Sequence, residues 1–145
     1  MDTMGENLNR YYLNPNPIQQ PTIFAAKSLL DFYALQKNLC LYIDLHAHAS
    51  KRGCFIYGNV MDSLADQLQN QLFCKLIALN TPHFEYEACL FSREHMKRID
   101  PGDVEKGLTA EGSGRVATYL AHKLIHRYVF VCNITIGIEV SKVNF

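Results

Sequence analysis

Leu41-Tyr42-Ile43-Asp44-Leu45-His46-Ala47-His48-Ala49-Ser50-Lys51-Arg52-Gly53-Cys54-Phe55-Ile56-Tyr57-Gly58-Asn59 is the stretch on which the reading of this chain turns. The apolar run from Leu39 to Leu45 has the length of a strand buried on both faces. It then breaks abruptly into Asp, two His, Ser, Lys and Arg. In an open α/β sheet, side chains at the carboxyl ends of strands line the crevice where ligands bind. His46 and His48 are two apart, so an extended backbone points both imidazoles to one face. Neutral rings there can ligate a metal, or they are a plain surface pair.

Helical spacing flanks this strand on both sides. Pro21 can open a helix over 22–36, in which Ile23, Phe24, Leu29, Leu30 and Tyr33 are packing positions. A second helix, capped by Asp62 or Ser63, is expected over 62–79 with Leu64, Leu68, Leu72, Leu76 and Leu79 on one face. That row drifts as a helix packed on a sheet would, so it reads as core rather than as a coiled-coil seam. Alternation over His83 to Leu90 predicts a half-exposed strand, and apolar residues over 124–133 predict another, with a shorter one near 53–57. A last helix is expected over 114–121. The order of elements gives an α/β fold, a partial mixed sheet flanked by helices.

The chain has 145 residues, 48% hydrophobic content and zero formal net charge, enough for one core and no more. That balance gives no electrostatic case for nucleic acid or an anionic membrane surface. Without an apolar run near membrane-spanning length or a signal-peptide pattern, the chain reads as soluble and cytoplasmic. Cys40, Cys54, Cys74, Cys89 and Cys132 stand singly in apolar surroundings, and the expected state is reduced core thiols. Residues 1–21 are polar, with Asn and Pro prominent, and read as a loop; residues 91–114, rich in charge and glycine, read as a long one. Gly112-Ser113-Gly114 lacks the preceding strand and the full pattern of a phosphate cradle.

Asp44 to Asn59 resembles the third zinc-ligand strand of the cytosolic carboxypeptidases, above all their subtype-five members. These are zinc metallocarboxypeptidases that shorten glutamate-rich tails on tubulin. The resemblance implies zinc as cofactor, His46 as a metal ligand, and acidic protein C-terminal tails such as those of tubulin as partners. Asn7-Leu8-Asn9-Arg10 is similar to a family element whose last Asn and Arg hold the substrate's terminal carboxylate, which implies that role for Asn9 and Arg10. Glu111-Gly112-Ser113-Gly114-Arg115-Val116-Ala117-Thr118-Tyr119 resembles the element that opens a helix beside the specificity pocket. Tyr119 then falls on the family's mobile active-site tyrosine. Arg115, one helical turn before it, could pair with an acidic substrate side chain. Read without the resemblance, Val116 and Tyr119 are one face of an amphipathic helix with Arg115 as its solvated neighbour.

Two departures count against activity. Family members read Ile-His-Ser-Tyr-Thr-Leu-Glu-Cys-Asn where this chain reads Ile125-His126-Arg127-Tyr128-Val129-Phe130-Val131-Cys132-Asn133. The missing glutamate is the family's general base and acid, and Val131 cannot move a proton. Glu139 is too far along an extended chain to stand in, since a strand rises roughly 3.3 Å per residue. The family's first zinc ligands come from a His-x-x-Glu element, and no His here has Glu three residues later. Residues 1–145 therefore read as one partial peptidase domain, the later half of a catalytic domain. Three readings stay open: a glutamate-removing zinc carboxypeptidase, a non-catalytic relative that binds acidic tails or a protein partner, and a fragment with an exposed sheet edge.

Overall fold

The structure, a computed structural model, describes residues 2–48 and 53–133. Ala49 to Arg52, within the decisive stretch, and Glu139 lie outside the described residues. The order of elements is α1 (Pro21–Leu35), β1 (Tyr42–His48), β2 (Cys54–Tyr57), α2 (Leu64–Asn80), α3 (Arg93–Lys97), α4 (Gly114–His122) and β3 (Arg127–Asn133), with 3₁₀ turns between. The three strands form one mixed sheet in the order β1-β3-β2, parallel across β1 and β3 and antiparallel across β3 and β2. This is the expected α/β fold, a three-stranded sheet flanked by helices.

β3 is the central strand, and its side chains alternate between two apolar clusters. Tyr128 faces one way, stacked on Phe73 of α2 with ring centroids 4.9 Å apart, and packs with Ile56, Cys74 and Phe84. Val129 and Val131 face the other way against Phe55. A third cluster joins Met61, Met96, Val116 and Tyr119 and seats α4. Ser63 caps α2 through its hydroxyl, which accepts from the Asp66 N–H at 3.1 Å.

Five expectations are corrected. The alternating segment 83–90 is not a strand: its ladder pairing with β2 is limited to the isolated bridges Cys54–Phe84 and Tyr57–Leu90, and between them the backbone closes a 3₁₀ turn, Tyr86–Ala88. β1 is not buried on both faces: Leu41, Ile43 and Leu45 are exposed, Leu45 by 77%, and among the described residues the strand pairs only with β3. The α2 leucine row is not core. Leu64, Leu68, Leu72, Leu76 and Leu79 are all exposed, and α2 buries Asn70 and Cys74 instead. On α1, likewise, Ile23 is buried while Phe24, Leu29 and Tyr33 are exposed. Finally, Cys54 and Cys132 are not reduced thiols but a disulfide, their Cα atoms 4.3 Å apart as direct cross-strand partners on β2 and β3. A sequence separation of 78 residues hid that adjacency.

The long 91–114 segment is more ordered in local structure than a bare loop. It holds α3, capped by Ser92, and 3₁₀ turns at Pro101–Asp103 and Ala110–Gly112.

Candidate functional site

Two loops distant in sequence lock together to build the site. The N–H of Tyr12 donates to the Gly112 carbonyl at 2.9 Å, and the N–H of Gly114 donates to Asn9 Oδ1 at 2.9 Å. Gly112 and Gly114 permit this approach, since a Cβ on the first would collide with the Arg10 carbonyl and one on the second with the Tyr42 hydroxyl. Asn9 thus caps the start of α4 with its amide oxygen. Its amide nitrogen reaches β1, donating to Asp44 Oδ2 at 2.8 Å and meeting His46 Nε2 at 3.2 Å.

The result is a cleft of about 270 Å³ over the Val129–Val131 face of the sheet. Asn9, Arg10, His46, Arg115 and Val131 all line it, together with Tyr57, His95, Arg98 and Asp100. Four of the sequence-derived site residues therefore converge. Tyr119 does not join them: it is buried among Met61, Met96 and Val116, beside a separate pocket that also touches Asp62, Arg93 and Lys123. Lys123 Nζ sits 4.9 Å from the centre of its ring.

The arginines of the cleft are already engaged. Arg10 forms an ion pair with Asp100, and its Nε lies 2.9 Å from Asp103 Oδ2, off the hydrogen-bonding direction. Arg98 reaches Asp100 as well, at 2.7 Å, so one carboxylate bridges two guanidiniums. Arg115 is not a solvated neighbour but a buried one, 2% exposed; it donates to the Gly58 carbonyl and to Asn59 Oδ1, the latter at 2.6 Å. Asn59 returns a bond to the Arg115 carbonyl at 3.3 Å. Burial, assisted by the charge of Arg10, pushes the Arg115 guanidinium down to about 10, which leaves it cationic at neutral pH.

His46 lies beside Val131 in the β1–β3 register. Its Nε2 is 3.0 Å from Asp44 Oδ2, and this contact holds the imidazole above its ordinary value against the opposing effect of burial. Zinc in this chemistry wants two His and one Glu, with further bonds orienting them. Among the described residues no three His, Cys, Asp or Glu side chains gather as a metal site, and the described donor set does not fit catalytic zinc. Val131 is 2% exposed and shares its cluster with Phe55 and Val129.

Sequence reasoning missed Asp44, Asp100, Asp103, Arg98 and Asn59 as participants. Asp44 and Asn59 stood inside the decisive stretch, where an ionisable or amide group beside an apolar strand is a usable signal. Asp100 meets Arg10 across 90 residues of chain, and nothing local announces such a pair.

A mixed sheet with helices against it, carrying this asparagine, arginine and histidine around one cleft, defines part of a metallocarboxypeptidase-like fold. The chain is 44% identical over 108 residues to Cytosolic carboxypeptidase-like protein 5 of Rattus norvegicus and of Homo sapiens, a match covering 74% of this chain. It is 35% identical over 96 residues, 65% of this chain, to Cytosolic carboxypeptidase 6 of Homo sapiens. No family model matches. The chain belongs to the cytosolic carboxypeptidase family, a cytosolic one, as a partial member. The match spans 12–13% of the length of the first two relatives and 19% of the third.

Proposed function

We propose that this chain is a carboxylate-recognising part of a zinc carboxypeptidase of the kind that removes C-terminal glutamate from protein tails, those of tubulin included, and that it does not hydrolyse them itself. Asn9, Arg10 and Arg115 form the binding residues, with Arg98 at the rim. A tail's terminal carboxylate takes the place of Asp100 on Arg10, exchanging one charge-assisted hydrogen bond for another. His46 is the residue through which zinc would be held in the whole family fold; the metal would there supply Lewis-acid chemistry. The observation that carries the reading is the register of β1 on β3. Beside His46, where the family's chemistry needs a carboxylate to shuttle a proton, this chain presents the isopropyl group of Val131.

The test is a peptide ending in several glutamates, incubated with the purified chain and assayed for released glutamate. No release is expected from the wild type or from Val131→Glu, because catalytic groups that act as a unit do not add back singly. Turnover by either would overturn the reading. The same peptide is expected to bind weakly and to lose affinity as salt is raised, since the attraction that brings it to the cleft is between opposite charges.

A second reading, in which the chain acts only inside a larger domain, is favoured by the exposed apolar faces. Leu64 and Leu79 on α2 are 76% and 72% exposed, and Leu45 on β1 is 77% exposed.

A further inference from the structure

On the face of the sheet away from the cleft, the Cys54–Cys132 disulfide closes one end of the β2–β3 pair. Cys54 and Ile56 share that face with Phe130 and Cys132, whereas Phe55 and Tyr57 turn to the cleft with Val129 and Val131. β2 is four residues long, and Cys54 is its first. The Cys54 N–H donates to the His83 carbonyl at 2.9 Å, and the Cys54 carbonyl accepts the Glu85 N–H at 2.7 Å. Both backbone groups therefore point away from β3, and the direct link from Cys54 to Cys132 is the sulfur bridge. Both cysteines are half-buried, so neither is sealed in the core as Cys74 is.

The chain belongs to a cytosolic family, and in the cytosol thiols are kept reduced; a disulfide there is characteristically one that forms and breaks. We infer that Cys54 and Cys132 are a reversible thiol–disulfide site, and that its reduction by a dithiol frees the start of β2 from β3 and loosens the floor of the cleft. One thiolate of the dithiol attacks a sulfur of the bridge; a mixed S–S bond forms, the Cys54–Cys132 bond breaks, and the released sulfur takes up the proton that the attacking thiol gave up. The second thiol of the reductant then attacks the mixed disulfide. It closes the reductant's own disulfide and frees the other cysteine, which takes that thiol's proton. Two electrons pass from the reductant to the protein, and an oxidised glutathione pool reverses the change.

Opening the bridge reaches the cleft through β2 itself. Phe55, next to Cys54, packs on Val129 and Val131, and Tyr57 lines the cleft. The Gly58 carbonyl and Asn59 Oδ1, which follow β2 directly, hold Arg115. Because the Cys54 backbone groups face the 83–85 side, alternation turns the Phe55 N–H toward β3, so the protection of that amide reports whether the start of β2 is held. This coupling holds whatever the cleft binds.

The experiment incubates the folded chain with dithiothreitol, alkylates the free thiols and maps them by mass spectrometry, with the exposed Cys40 as internal reference and circular dichroism to follow the fold. Cys54 and Cys132 are expected to become alkylated together while the circular dichroism persists, and to rejoin when oxidised glutathione replaces the dithiol. Hydrogen exchange on the two forms should show the Phe55 amide at least about tenfold faster in the reduced one, with the β1–β3 amides changed far less. A bridge that yields only when the chain unfolds, or a pair still found as thiols under oxidised glutathione, would overturn the site. Equal exchange at Phe55 in both forms would overturn its coupling to the cleft. In a chain carrying Cys54→Ser and Cys132→Ser the difference between the two treatments should vanish. The mapping and the exchange on the unaltered chain decide both points even where that variant fails to fold.

Discussion

Arg127 is fully buried on β3, and none of its three guanidinium nitrogens has a hydrogen-bond partner among the described residues. The Tyr42 ring lies beside it, 6.0 Å from ring centre to guanidinium carbon, and burial pushes the group down to about 10. A buried charge with no partner is among the costliest arrangements in a core. Arg127→Met keeps the stem and removes the charge, and is expected to raise unfolding stability by about 1–4 kcal/mol. The check is a denaturant midpoint that moves up with an unchanged slope; a lower midpoint contradicts it. Asp100 is the opposite case, a carboxylate that satisfies Arg10 and Arg98 at the expense of any ligand. Asp100→Asn should tighten binding of a glutamate-ended peptide roughly twofold to fivefold, the scale of one partly exposed ion pair. Titration calorimetry that finds weaker binding would remove the competition between Asp100 and the tail. At this scale the motif residues Asn9, Arg10, His46 and Arg115 were legible in the sequence, because each sits in a run of residues with its own pattern. The carboxylate partners of Arg10, Asp100 and Asp103, were not, because an ion pair across some ninety residues of chain leaves no local trace.

Among the elements, the helices read most directly from the sequence. Pro21, Ser63 and Gly114 mark the starts of α1, α2 and α4, and each start rests on local chemistry: a ring that presets φ, a capping hydroxyl, a glycine that lets the Tyr42 side chain approach. The segment 83–90 failed for a physical reason. Its ends do lie along β2, with Cys54 N–H donating to His83 and Leu90 N–H to Ile56, but the middle closes on itself through the Ala88 and Cys89 N–H groups. The α2 leucines failed for another: periodicity gives the face of a helix, not what lies against it. Their exposure yields a sharp contrast. Leu68→Gln with Leu72→Gln should change stability by no more than about 0.5 kcal/mol each, as surface changes do. Ile56→Ala, by contrast, opens the main cluster and should cost about 2–5 kcal/mol. Equal losses in thermal unfolding would show that the leucine row is covered in solution.

For the whole molecule, the balance is between a well-formed cleft and apolar faces that meet nothing among the described residues. The edge of β1, unpaired among the described residues, and the leucine face of α2 favour self-association, so sedimentation at rising concentration should show growing species that the α2 double variant reduces. A clean monomer at all concentrations would contradict this. The mixed-sheet fold class was legible because strand and helix periods alternate along the chain, whereas the Cys54–Cys132 bond needed the β2–β3 register to be seen. The central claim is that the cleft recognises a terminal carboxylate and leaves the peptide whole. The most direct measurement is a proton NMR titration of a glutamate-ended peptide with the wild-type chain and with Arg10→Ala, at low salt. The account predicts shifts confined to the last glutamates, lost in Arg10→Ala, and no resonance of free glutamate after long incubation. Free glutamate appearing with the wild-type chain, or shifts unchanged in Arg10→Ala, would contradict it.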